Sequence, residues 1–422
     1  MSRCASRPEA RVVIVLLLLI AAHLGIVSSI IWQDRPIIWP LHNDTIHRAG
    51  RGADFYAVYH AGLNQRKGID PYANNADGAT PYFYPYRYLP IVATAFQPLT
   101  SLSPQTAYRV WLLILEGVLA LFLVTIWNRI PETGVRLSAI GLLLISSPYF
   151  LELYMGQFTF VSVTLCCLGL LLPMGQLLFC VSVLIKPLTL AALPALASQR
   201  RYWAHGASAI LCVALVTVPY FVRHPEQWLV FFNENFRLQG GLHAGNYGFA
   251  RLLQLLLNDL NIPLSPQRWD SLVHTLRYAA FAATSLLVLL SKRRSVLVGV
   301  PALLLAHFLT YQHVWEHHMS GVSVLAAVML TARDRGRLLS SAILFSLLLL
   351  SSPTLFGVFD VARDRFVFDP SGQWPTYASY LIVLSKVIPT LTLYLCCTVY
   401  LGRSGLMSPL AAVRRAAGGI PS

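Results

Sequence analysis

Charge is what this chain lacks. Only 12% of its 422 residues are Asp, Glu, Lys or Arg, about half the share usual in a soluble domain. Acids are the scarcer sign, 18 against 32 basic residues, and only four of those 32 are lysines. With 56% of residues hydrophobic, a soluble protein of this length would leave much apolar surface in water. That excludes an ordinary soluble enzyme. Cysteine is also sparse. Of seven, Cys166, Cys167, Cys180, Cys212, Cys396 and Cys397 fall within apolar runs and Cys4 precedes the first. None has the spacing of a zinc site or of an extracellular disulfide framework, so they read as small packing residues. No internal repeat is evident, which argues against the commonest transporter architectures.

What the chain does have is long apolar runs. They are continuous rather than alternating, so the expected fold is an all-α, polytopic bundle and not a β-barrel. Several runs approach the roughly 20 residues a helix needs to cross a bilayer. The formal net charge of +14 would suggest nucleic acid if it were clustered on a folded face. Instead 16 basic residues sit in the N-terminus and in short connectors (Arg129 and Arg136, Arg200 and Arg201, Lys292 to Arg294, Arg333 to Arg337, Arg403 to Arg415), against Glu9, Glu132 and Asp334. This is a positive-inside pattern, and a nucleic-acid partner is excluded.

With the N-terminus in the cytoplasm, residues 12–31 form an uncleaved first span, and roughly ten to twelve crossings follow. They fall near 107–127, 137–150, 158–198, 203–222, 271–290, 296–312, 318–332, 338–356 and 376–401. The segment 158–198 must cross an odd number of times and is expected to be one span plus a re-entrant or broken pair around Lys186-Pro187. The long loops 32–106, 223–270 and 357–375 all fall outside, with short interfacial helices in them. Residues 1–403 make one domain and 404–422 a cytoplasmic tail. The chain is thus expected in the cytoplasmic (inner) membrane, multi-pass, with an extracytoplasmic site, because functional residues concentrate on loops held by a rigid scaffold.

Five stretches carry chemistry. "ADFYAVYHAGLNQRKGIDPYA" places Asp54 at the head of a short helix, where it caps the first turn, acts as a general base, or does both. "PYFYPYRYLP", with Tyr84 and Arg87, has the aromatic density of an interfacial belt or a flat binding wall. "YMGQFTF" puts Gly156 and Gln157 at a tight outer turn, with Glu152 close by. Lys186 in "LIKPLTLAALP" is costly at membrane depth and needs a cavity or partner, or snorkels from a helix end. "YQHVWEHHMS" gathers His313, Trp315, Glu316, His317 and His318. It lacks a HExxH pattern, and no metal is assigned to it. Which of the two adjacent histidines points inward is open, because neighbours on a helix diverge.

In this order the five stretches resemble the landmarks of the polytopic glycosyltransferases of family 87, across residues 53–320. The resemblance implies a GT-C fold whose first outer loop carries the catalytic aspartate, here Asp54. It also implies a polyprenyl-phosphate-linked sugar donor, typically mannose or a related pentose, a lipid or glycan acceptor, inversion at the anomeric carbon, and no cofactor. Substrate contacts would come from Lys186, His317, His318, Trp315, Gln157, Arg87 and Tyr84. Arg87 stands where many members have proline and apolar residues, a local departure. A glycosidase would need two flanking carboxylates, and only Asp34 and Asp44, in an irregular loop, lie near Asp54 in sequence. The alternative reading is a transporter or flippase of lipid-linked saccharides, which would place ionisable residues on several spans. Only Lys186, Lys386 and Glu116 qualify.

Overall fold

In the computed structural model, the described residues are 7–38, 50–73, 75, 78–81, 83–236, 245–354, 356–359, 374–403 and 405, and no strand occurs among them. Most of the expected third outer loop, 357–375, the tail 404–422 (apart from Gly405), and Cys4, Asp44 and Arg237 lie outside them. Six helical stretches are long and apolar enough to cross a bilayer: Val12–Trp32, Pro104–Arg129, Thr133–Met155, Arg200–Arg223, Pro266–Leu290 and Thr376–Gly402. Six shorter apolar stretches accompany them. The chain is therefore all-α among the described residues and a multi-pass membrane protein, with six candidate spans by length and composition.

In chain order the helices used below are α1 (Arg7–Trp32), α2 (Ala53–Arg66), α3 (Pro90–Phe96), α4 (Pro104–Arg129), α5 (Thr133–Leu144), α6 (Ser147–Met155), α7 (Thr159–Leu171) and α8 (Gly175–Ile185). The third expected span is α5 and α6 together, interrupted at Ile145-Ser146 with Pro148 opening the second half. Proline fits the first turn of a helix, where no partner awaits its missing N–H.

The segment 158–198 resolves into three short helical runs. Helix α7 starts beside Lys186, whose Nζ donates to Thr159 Oγ1 at 2.7 Å. It ends at Leu171, whose carbonyl accepts from Arg129. Helix α8 packs back along it. Lys186 then breaks the chain in an extended conformation, and residues Pro187–Ala197 return as a 3-10 turn followed by a short α-helix. The break was expected at this dipeptide. That the whole segment divides into three passes, each well short of the roughly 20 residues of a full span, was not.

The basic connectors meet at the opposite end. Arg335 donates to Glu132, to the Ala332 carbonyl and to Ser340 Oγ, Arg403 donates to the Arg335 carbonyl, and Arg294 to the Ser198 carbonyl. One end of the bundle is thus arginine-rich, and the other carries Lys186, Asp54 and the histidines.

Two further ionisable groups staple helices together. His23 Nδ1 donates to the Leu144 carbonyl at 2.7 Å, and its Nε2 shares a proton with Glu116 at 2.9 Å. Tyr149 Oη donates to the other Glu116 oxygen at 2.8 Å. This ties α1, otherwise largely apolar and outward-facing, to α4 and α6. Glu116→Ala should leave the His23 and Tyr149 polar atoms unpaired at a cost of about 1–3 kcal/mol. The expected result is a lowered midpoint of thermal unfolding in detergent, and an unchanged midpoint would contradict the staple.

Candidate active site

The site is built on the start of α2, which is buried on nearly all sides. Gly52 is its N-cap, in a left-handed conformation with φ 76°, and no side chain caps the helix. Asp54 therefore does not cap. It lies in the first turn, partly buried, where the helix dipole favours a negative charge. Gln157 lies close enough to act on its carboxylate, which also lies in the field of Lys186 and Arg87.

Gln157 is oriented by what surrounds it. Its Oε1 accepts from the Phe158 amide at 2.9 Å and from Tyr88 Oη at 3.4 Å. With the oxygen thus occupied, the amide NH₂ is the end turned to Asp54. The preceding Gly156 has φ +66°, and a Cβ there would stand 2.6 Å from Phe55 Cβ. Only glycine lets the turn come this close to α2. Trp111 Nε1 donates to the Gly156 carbonyl, Tyr108 Oη to the carbonyls of Leu153 and Tyr154, and the Gly52 amide to the Tyr154 carbonyl. The Gly-Gln turn and the Asp54 turn are thus locked as one piece.

Lys186 is turned inward rather than snorkelling. Besides Thr159, its ammonium acts on Asp54, Glu152, His317 and His318. Glu152, in α6, is fully buried and faces the start of α7. It accepts from the Phe160 amide at 2.7 Å and from Ser320 Oγ at 3.0 Å. A buried carboxylate without such partners would be prohibitive.

The 313–318 segment closes the far side, leading into α9 (His318–Met329). Glu316 is fully buried, accepting from Ser147 and Thr354 at 3.2 and 3.4 Å. It faces Lys386, whose Nζ donates to the carbonyls of Leu349, Leu350 and Ser352. His318 Nδ1 accepts from the Trp315 amide at 2.9 Å, so its Nε2 carries the proton. His317 is 3% exposed and its ring lies tilted against that of His318 with centroids 4.3 Å apart, yet neither of its ring nitrogens has a partner. Both imidazoles are buried near Lys186, and His317 is the one with nitrogens to spare.

Other expected contributors sit further out. Arg87 is exposed, and its backbone carbonyl accepts from Asn235. Trp315 is partly buried beside the imidazoles. Tyr84 is partly buried against the core. The tyrosine-rich stretch is neither a belt nor a wall at Tyr86 and Tyr88: both are buried, and the hydroxyl of Tyr86 donates to the Leu89 carbonyl while that of Tyr72 donates to the Tyr88 carbonyl. Among the described residues, the His, Asp and Glu side chains near enough to share a metal ion are Asp70, His224 and Glu226, with ligand atoms within 4.8 Å. The 313–318 segment is not part of that group. Arg277, His307 and Tyr311 also border the histidines. Sequence reading passed over them, although an arginine in "VHTLRYAAFA" and a histidine in "LLLAHFLTY" are ionisable residues within apolar helices, a signal in itself.

The profile of glycosyltransferase family 87 matches residues 86–312, more than half of the chain. The matched range holds Arg87, Gln157 and Lys186 and ends before Trp315, and Asp54 precedes it. No curated protein matches the chain. A solved structure, ArnT from Cupriavidus metallidurans in the apo state, aligns at a TM-score of 0.41 with 12% identity, over 92% of this chain and 77% of that one. A likeness that distant carries no inference here.

Burial raises the Asp54 carboxyl from 3.8 to about 6, against the opposing pull of Lys186, Arg87 and Gln157. Folded protein therefore holds this proton more tightly than unfolded chain, and stability falls as pH rises from 3.8 to about 6. Asp54→Asn should remove that slope. Its thermal midpoint should match wild type at the acid end of this window and exceed it above about pH 6. Parallel midpoints for the two proteins across the window would show that Asp54 is not desolvated.

Proposed function

Because the chain belongs to glycosyltransferase family 87, we propose that it is an inverting transferase taking its sugar from a polyprenyl-phosphate-linked donor. The sugar is mannose or a related hexose or pentose, and the acceptor is a lipid or glycan. The reaction runs at the outer face of the cytoplasmic membrane, the end of the bundle opposite the arginine connectors. Family membership likewise carries the expectation of the GT-C type of bundle.

Asp54 takes the proton of the acceptor hydroxyl as that oxygen attacks the anomeric carbon. The bond from that carbon to the phosphate oxygen breaks at the opposite face, and the electron pair leaves with the polyprenyl phosphate. Lys186 neutralises the phosphate as charge builds on it. The protonated Nε2 of His318 and the free imidazole of His317 are positioned to donate to phosphate or sugar oxygens, and Trp315 offers a ring to the sugar's apolar face. Gln157 keeps the base aimed, and Arg87 and Tyr84 stand at the entrance side. The leaving group needs no acid, so one carboxylate suffices. What supports this reading most is the pairing of a raised carboxyl at Asp54 with the Lys186 ammonium in reach of it. A base that titrates near neutrality is the form general-base catalysis favours.

Purified Asp54→Asn should fold as wild type does and lose about 10²–10⁴-fold in transfer from labelled polyprenyl-phosphate sugar, the usual worth of a general base. Retained activity would refute the assignment of the base. The same assay separates transfer from transport, because a flippase would return the labelled donor unchanged.

A further inference from the structure

Four polar side chains beside the histidine pair have no hydrogen-bond partner among the described residues. The guanidinium of Arg277, near the middle of the span Pro266–Leu290, lies over the Tyr311 ring at 5.4 Å and has neither a hydrogen bond nor an ion pair. The Tyr311 hydroxyl and the His307 imidazole, stacked at 5.1 Å, make no side-chain hydrogen bond. The fourth is His317, 3% exposed with both ring nitrogens unpaired. The rings form a continuous set, since Tyr311 meets His318 edge-on at 6.2 Å and His318 meets His317 at a tilt, with centroids 4.3 Å apart. His317 is buried, where polar groups are nearly always paired. Arg277, His307 and Tyr311 are partly buried around it, and an arginine in a span ordinarily faces a partner or a cavity. Here the field is positive: Arg277 and Lys186 both act on His307, and Arg277 and Arg87 both act on Tyr311.

We propose that Arg277, Tyr311, His307 and the free imidazole of His317 form an oxyanion subsite for the phosphate of a lipid substrate, distinct from the contact made by Lys186. Guanidinium is the group for this task, because its planar fork binds phosphate oxygens in pairs and stays charged at membrane depth. Tyrosine and neutral histidine add donors without further charge. A sugar alone would not need an unpaired cation, and a carboxylate would use only one face of the cluster. The phosphate belongs either to the polyprenyl donor or to a phospholipid acceptor. The inference rests on the chain acting on lipid-linked substrates.

The test is binding without turnover. The full chain in detergent is titrated with sugar-free polyprenyl phosphate and, separately, with dioleoyl phosphatidate, with polyprenol and dioleoylglycerol as uncharged counterparts. Affinity is read from the shift in thermal midpoint. Arg277→Leu should weaken at least one phosphate lipid about tenfold, the worth of a charge-assisted hydrogen bond, and leave the uncharged lipids unaffected. Arg277→Lys should recover part of the loss. Weakening confined to phosphatidate assigns the subsite to the acceptor, and weakening confined to polyprenyl phosphate assigns it to the donor. Should Arg277→Leu not fold, Arg277→Gln and Tyr311→Phe report on the same subsite. Unchanged affinity for both phosphate lipids in folded variants overturns the subsite, as does wild-type protein that prefers neither over its uncharged counterpart. Transfer is scored separately by product formation, so phosphate binding without product leaves the subsite standing and removes only the enzymatic reading.

Discussion

One ammonium governs this end of the bundle. Lys186 stands where two short helices fail to continue, and Asp54 and Glu152, 98 positions apart in the chain, both feel its charge. That charge offsets part of the cost of holding carboxyls in a low-dielectric interior. Pro187 makes the position possible. By ending the helix it turns the lysine toward Thr159 and the carboxylates instead of leaving it on an apolar face.

The rest of the architecture holds that arrangement still. The Gly156 turn and the Gly52 turn interlock through Phe55, Tyr108 and Trp111, so Asp54 and Gln157 move together. Glu316, in the field of the buried Lys386, accepts from Ser147 and Thr354 and so fixes the Trp-Glu-His-His segment. Each functional side chain is thus placed by a rigid neighbour and not by a free loop, the condition under which positioning contributes most to a rate.

The fold class was legible in the sequence because a bilayer imposes it: continuous apolar runs and arginine connectors leave few alternatives. Residues far apart in the chain, Asp54, Gln157, Lys186 and the two histidines, could be singled out because each is a polar residue in an apolar setting. Spacing alone could not show that Asp54 would miss the N-cap by two residues, since Gly52 takes that position through a left-handed turn. Nor could it tell that Tyr86 and Tyr88 would turn their rings into the core, because aromatic density looks the same at an interface and in a packed cluster. Arg277 and His307 were overlooked for a related reason. Neither belongs to a motif in the sequence, and only the bundle brings their two helices together.

The central claim is that a single carboxylate drives a one-step displacement at the anomeric carbon. It is tested most directly by the stereochemistry of the product formed by purified protein from a donor of defined anomeric configuration. Nuclear magnetic resonance of the new glycosidic linkage should report the opposite configuration to that of the donor. Retained configuration would demand a covalent intermediate and a second catalytic group, and would contradict the account.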